Sequence, residues 1–173
     1  MQIRIAGIAQ ESIVDGPGFR YAVFTQGCPH NCKGCHNPQT HDFSGGRLDD
    51  TQRIFEELIK DPLLDGVTFS GGEPFCQCEA LCDLAGRIRA YKGRRLTVIS
   101  YTGFTFEQLL ERSREDKFCR ELMGMVDYLV DGPFVLEKRS LELKFRGSTN
   151  QRFIDMKRSL EEGRAVETDP DSI

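Results

Sequence analysis

The chain has no apolar run approaching the ~18 residues that a membrane-spanning helix requires, so no membrane association is expected. It has no basic excess either. Lys and Arg total 23 against 27 Asp and Glu, a net charge of -4, which argues against a nucleic-acid partner. The local clusters Arg94-Arg95, Lys138-Arg139 and Lys157-Arg158 read as solvated faces. The opening Met1-Gln2-Ile3-Arg4-Ile5 is too short and too interrupted for a signal peptide, and a cytoplasmic address is expected. Internal repeats, low-complexity tracts and linkers are lacking too. A chain of 173 residues without them reads as one domain, large enough to bury a core.

Seven cysteines are present, and their odd number and uneven spacing suit metal or redox chemistry better than disulfides. Three of them stand in Cys28-Pro29-His30-Asn31-Cys32-Lys33-Gly34-Cys35, a C-x3-C-x2-C pattern with no fourth cysteine beside it. Three thiolates can hold an iron–sulfur cluster and leave one iron without a protein ligand, whereas a fourth would close it for plain electron transfer. The open corner is a place for chemistry, as on a catalytic zinc. Such a cluster is oxygen-sensitive, so an anoxic or well-reduced setting is expected. Two other readings stay open on these residues. A zinc knuckle could take His30, His36 or His41 as its fourth ligand. A thioredoxin-like pair, Cys32 and Cys35, leaves Cys28 unexplained and lacks the strand-then-helix context.

Hydrophobic patterning alternates between strands and helices. Strands are predicted over Ile3–Ile8, Arg20–Thr25, Gly66–Ser70, Leu96–Ser100 and Val126–Val130, most of them short, apolar runs followed by turn residues. A helix is predicted over Asp49–Lys60, where Ile54, Leu58, Phe55 and Ile59 form one stripe. Another is predicted over Gln77–Tyr91, carried by Leu81, Leu84, Ala85 and Ile88 and stopped by Gly93. Thr105 and Gln108 form a capping box that opens a third. The alternation implies an α/β fold with parallel strands and right-handed crossovers. A complete eight-unit barrel needs ~250 residues, so the expectation is a single-domain incomplete (βα)5-6 barrel over residues 1–163, open on one side. Residues 164–173 are expected to be a frayed polar tail.

A second constellation follows the third predicted strand, Thr68-Phe69-Ser70-Gly71-Gly72-Glu73-Pro74. Two glycines after an apolar strand let a ligand approach the backbone without an intervening Cβ. Ligands of parallel α/β proteins bind at carboxyl ends of strands, where this run falls. The plainer reading is a tight strand-to-helix turn with Pro74 at a first helical position.

In this order, the cysteine loop and the glycine run resemble the paired motifs of the radical S-adenosylmethionine superfamily. The resemblance implies a [4Fe-4S] cluster on Cys28, Cys32 and Cys35, with S-adenosyl-L-methionine chelating the open iron through its amino and carboxylate groups. It implies cofactor contacts at Gly71, Gly72 and Glu73, and at the backbone around Gly34 and His36. In that superfamily the reduced cluster cleaves the sulfonium to methionine and a 5′-deoxyadenosyl radical. No side chain is assigned a catalytic acid or base role.

Further stretches narrow the resemblance to glycyl-radical activating enzymes. Ser12-Ile13-Val14-Asp15-Gly16-Pro17-Gly18-Phe19-Arg20 resembles their Asp-Gly-Pro-Gly-x-Arg element, and Cys35-His36-Asn37-Pro38-Gln39-Thr40-His41 their continuation after the third cysteine. Tyr101–Thr105, Val130–Phe134 and Leu143–Arg152 are similar to activators of anaerobic ribonucleoside-triphosphate reductase, and the likeness runs from Ile13 to Ile154. It implies the reductase large subunit as partner, losing a hydrogen atom from a glycine Cα, and flavodoxin or ferredoxin as electron donor. Lys144 and Arg146 become anchors for cofactor or partner. An activase of the pyruvate formate-lyase type, or a non-catalytic iron–sulfur or zinc module, remains the alternative. Cys76, Cys78 and Cys82 match no required element; they read as small buried hydrophobes, or with Cys119 as a second cluster.

Overall fold

The computed structural model describes residues 1–173. Its centre is four parallel strands whose apolar, β-branched runs end in glycine or a polar turn: β2 (Arg20–Thr25), β4 (Gly66–Gly71), β5 (Thr97–Tyr101) and β6 (Tyr128–Asp131). They are flanked by β1 (Gln2–Ser12), β3 (Arg47–Asp50) and β7 (Arg152–Asp155), giving one seven-stranded sheet in the order β3-β1-β2-β4-β5-β6-β7. The central strands lie almost where hydrophobic patterning puts them.

The expectation of parallel strands throughout needs correction. β1 runs antiparallel to β2 and to β3, and β7 antiparallel to β6. The β1–β2 connection, Ile13–Phe19, carries no helix, and a parallel crossover needs a dozen or more residues. The count of parallel units is therefore four strands rather than five or six. β3 and β7 stand at the two edges of the sheet, unpaired with each other.

Five helices complete the fold: α1 (Thr51–Lys60), α2 (Cys78–Ala90), α3 (Phe106–Arg112), α4 (Lys117–Met125) and α5 (Met156–Glu162). α1 starts two residues later than predicted because Asp49 pairs with Ile3 in the sheet and Asp50 is the N-cap, accepting from the Gln52 and Arg53 amides at 2.9 and 3.2 Å. The α3 capping box forms as read from Thr105 and Gln108. α2 ends at Ala90 with Tyr91 extended, so Gly93 belongs to the next turn rather than to the cap.

Alternate residues of the strands feed one apolar core. Tyr21, Val23, Val67, Phe69, Val98, Leu129 and Ile154 pack with Ile54 and Leu58 of α1, Leu81 and Leu84 of α2, Leu109 of α3 and Leu122 of α4. The intervening residues, Arg20, Ala22, Thr68, Ile99 and Val130, are buried on the other face. There the Thr68 hydroxyl donates to the Asp15 carbonyl at 2.7 Å.

The C-terminal segment is not frayed. The Asp155 amide bonds the Val166 carbonyl and the Thr168 amide the Phe153 carbonyl, each at 2.9 Å, with Val166 and Pro170 buried. Two ladder bonds to β7 convert a polar tail into a docked strip.

Candidate functional site

The cysteine loop leaves the carboxyl end of β2. Its base is closed by the Gly27 amide on the Thr40 carbonyl at 2.7 Å and the Cys28 amide on the His41 carbonyl at 3.2 Å. Gln26, buried beneath, donates to the carbonyls of Gln39 and Asp42 at 3.0 and 2.7 Å. Within the loop Asn31 and Gly34 adopt positive φ of 52° and 77°, letting the chain reverse twice between cysteines. Cys28, Cys32 and Cys35 are all free and half-buried. The Asn37 amide donates to Cys35 Sγ at 3.5 Å, a contact suited to a thiolate. Burial pushes the Cys28 thiol up, opposed by a backbone hydrogen bond at His30.

The glycine run ends β4 beside this base, as expected from its place after an apolar strand. Gly71 has φ of 90°, and a Cβ there would lie 2.7 Å from Phe24 Cα and the Thr25 amide. A Cβ on Gly72 would lie 2.4 Å from the Gly27 carbonyl oxygen. The close approach is used: the Gly72 amide bonds the Thr25 carbonyl at 2.7 Å and the Glu73 amide the Gly27 carbonyl at 2.8 Å. Main-chain bonds thus staple the strand end to the residue preceding Cys28.

The Glu73 carboxylate turns inward. It is fully buried, accepting from the Phe75 amide at 3.0 Å, Thr102 Oγ1 at 2.8 Å, the Gly103 amide at 2.8 Å and His30 Nε2 at 2.5 Å. Four donors satisfy both oxygens, so the side chain acts on the protein, and only its backbone borders the rim. His30 Nε2 is thereby engaged. The motifs place His30 inside the cysteine loop and Thr102-Gly103 inside the Tyr101–Thr105 stretch, but assign none of the three a bond to Glu73.

Gly34 and His36 face the β6–β7 connection. A Cβ on Gly34 would meet Leu136 Cδ1 at 2.9 Å, and the His36 ring lies 5.2 Å from that of Phe134. Lys144 pairs with Asp171 at 2.5 Å on the surface, and the Arg146 Nε donates to the Lys144 carbonyl at 3.2 Å. The Asp-Gly-Pro-Gly-x-Arg element lies at the opposite, amino ends of the parallel strands. Arg20 is buried there, donating to the Val67 and Thr97 carbonyls and to both threonine hydroxyls, Thr68 and Thr97. Burial lowers its pKa to about 10.

The remaining cysteines do not assemble a second centre. Cys78, Cys82 and Cys119 are buried in the α2–α4 core, while Cys76 is exposed. Cys82 Sγ donates to the Phe118 carbonyl at 3.3 Å, Cys78 Sγ to the Phe75 carbonyl at 3.1 Å and Cys119 Sγ to the Leu109 carbonyl at 3.7 Å. No three His, Cys, Asp or Glu side chains converge closely enough to hold a single metal ion. An iron–sulfur cluster takes its protein ligands on separate irons. The donor set of three free thiols on one preshaped loop fits such a cluster. A cavity of about 440 Å³ lies elsewhere, lined by Ile8, Gln10, Arg47, Arg53 and Glu57.

A family model described as a 4Fe-4S single cluster domain matches residues 14–154. The anaerobic ribonucleoside-triphosphate reductase-activating protein of Haemophilus influenzae is 34% identical over 148 residues, covering 80% of this chain and 89% of the relative. Its Escherichia coli counterpart is 32% identical over 148 residues, 80% and 90% of the two chains. The chain belongs to this family of activating proteins. The pyruvate formate-lyase-activating enzyme of Clostridium pasteurianum shares 43% identity over only 86 residues, 36% of its length. The matched span contains all three loop cysteines, the glycine run and Thr102-Gly103. The activase also has no helix long and apolar enough to cross a membrane.

Proposed function

We propose that this activase generates a glycyl radical on an anaerobic ribonucleoside-triphosphate reductase by reductive cleavage of S-adenosyl-L-methionine at a [4Fe-4S] cluster. Cys28, Cys32 and Cys35 hold the cluster. When bound and reduced, the cluster and cofactor supply a 5′-deoxyadenosyl radical that takes the hydrogen atom from a glycine Cα of the reductase large subunit. The protein's own contribution is position. Gly71 and Gly72, having no side chains, let the end of β4 close on the Thr25–Gly27 backbone at the base of the loop, so that the cofactor's amino-acid end meets the main chain of this strand end, while Glu73 holds it rigid from behind. Gly34 and His36 border the loop on the side of Phe134 and Leu136. Hydrogen transfer needs near-contact geometry, and such placement accounts for the large effective molarities of oriented reactants.

The open sheet is read as an incomplete barrel whose unclosed side admits the partner's glycine segment. The electron donor is a flavodoxin or ferredoxin in an anoxic cytoplasm. The observation that carries this reading is the stapling of the three-cysteine loop to the glycine-rich strand end through Gly27, Gly72 and Glu73.

The test is anaerobic reconstitution, reduction with dithionite and addition of S-adenosylmethionine. Release of 5′-deoxyadenosine, abolished in Cys32→Ala, and a glycyl-radical doublet on added reductase are expected. A protein that binds iron but leaves the cofactor intact refutes the reading. A doublet on pyruvate formate-lyase and none on the reductase moves the partner assignment to the other activase type.

A further inference from the structure

We propose that His30 is a positioning residue: its bond to the buried Glu73 carboxylate locks the interior of the cysteine loop to the glycine-rich end of β4. The lock sets where the amino-acid end of S-adenosylmethionine meets the cluster, and that second half rests on the function proposed above.

The geometry separates His30 from the other partners of Glu73. Phe75 follows in the same segment, and Thr102 and Gly103 lie at the end of β5; together they orient the carboxylate without the loop. Only His30 comes from between two loop cysteines. Its imidazole occupies a notch made for it. A Cβ on Gly103 would lie 2.3 Å from His30 Cδ2, and the Phe104 ring meets the imidazole edge-on with centroids 4.6 Å apart at 78°. A carboxylate only accepts, so Nε2 carries the proton in this contact. The backbone turns immediately afterwards, at Asn31 with φ of 52°, towards Cys32.

The loop is otherwise tied at its base, by Gly27 and Cys28 to Thr40 and His41, and packed at its far end, where Gly34 and His36 meet Leu136 and Phe134. Between these the Pro29–Asn31 stretch keeps freedom unless a side chain pins it. His30 removes that freedom on the side facing the glycine run.

The experiment compares His30→Ala, His30→Gln and His30→Phe. Glutamine keeps a donor at similar reach and loses the ring; phenylalanine keeps the ring and loses the donor. In cluster-free protein, amide hydrogen exchange across residues 28–41 is expected to quicken about tenfold in the alanine and phenylalanine variants, and to stay within about threefold of the unsubstituted protein in the glutamine variant. In reconstituted protein all variants should hold wild-type iron. The S-adenosylmethionine concentration that half-saturates the change in the reduced cluster's electron paramagnetic resonance signal should rise about tenfold in His30→Ala and His30→Phe and stay near that of the unsubstituted protein in His30→Gln.

Unchanged exchange in His30→Ala overturns the lock, and so does wild-type behaviour of His30→Phe, which would assign the contact to packing alone. Glutamine as damaging as alanine, or outright iron loss, also overturns it. An unsubstituted protein whose signal ignores the cofactor overturns the proposed function and the cofactor half of this inference. The exchange comparison needs neither cluster nor cofactor and decides the lock separately.

Discussion

Replacing Glu73 by Gln removes one charge and turns one acceptor into a donor. Phe75 N–H and Thr102 Oγ1–H share Oε1, while Gly103 N–H and His30 Nε2–H share Oε2. If the amide oxygen keeps the first pair, the new NH2 faces Gly103 N–H, which can only donate; His30 can adapt by changing tautomer. If it keeps the second pair, the Phe75 amide is stranded instead. Either way one buried main-chain donor loses its partner, at about 1–3 kcal/mol, and charge-assisted bonds become neutral ones, at about another 1 kcal/mol. The sum is about 2–4 kcal/mol. At roughly 2–4 °C per kcal/mol for a chain of this size, the melting temperature should fall by about 4–16 °C. Urea unfolding of cluster-free protein under reducing conditions measures it, with an unchanged m-value checking that the unfolded state is not the cause. A loss below about 0.5 kcal/mol would refute the claim that this carboxylate organises the site.

Arg152 spans Asp131 at 3.0 and 2.5 Å and Glu107 at 3.0 and 2.7 Å, with Asp131 buried and also accepting from the Phe106 amide. Arg152→Ala should therefore cost about 3–5 kcal/mol by leaving a buried carboxylate uncompensated, with Arg152→Lys intermediate; equal urea midpoints would refute this. Thiol labelling should separate the cysteines. Burial raises the Cys82 pKa from its ordinary 9.0 to about 12, making its thiolate about a thousandfold scarcer at pH 8. The labelling rate at Cys82 should climb about tenfold per pH unit up to that value. Iodoacetamide followed by mass mapping should modify Cys28, Cys32 and Cys35 of cluster-free protein first, and the buried Cys78, Cys82 and Cys119 last. Reconstituted protein should carry about four irons per chain; about eight would restore the second-cluster reading of the α2–α4 cysteines.

The parallel centre was legible because burial on both faces writes a local signal. The pattern over Arg20–Thr25 has the bounds of β2, and that over Gly66–Ser70 stops one residue short of β4. β3 was not legible: Arg47-Leu48-Asp49-Asp50 is a charged edge, a strand only because its backbone pairs with β1. α4 has an apolar stripe at Cys119, Leu122 and Met123, but Gly124 near its end blurs it. The docking of Val166 and Thr168 on β7 rests on main-chain bonds that composition cannot foretell.

Local spacing alone determined the chemistry available to this protein, because the three sulfurs and the turn residues between them fall within eight consecutive positions. Folding decided what that chemistry is built against. Glu73 read as a cofactor contact from its motif, yet its carboxylate serves His30, Thr102 and Gly103. Those partners are 43, 29 and 30 residues away along the chain, and side-chain pairing over such separations is set by packing, not by pattern.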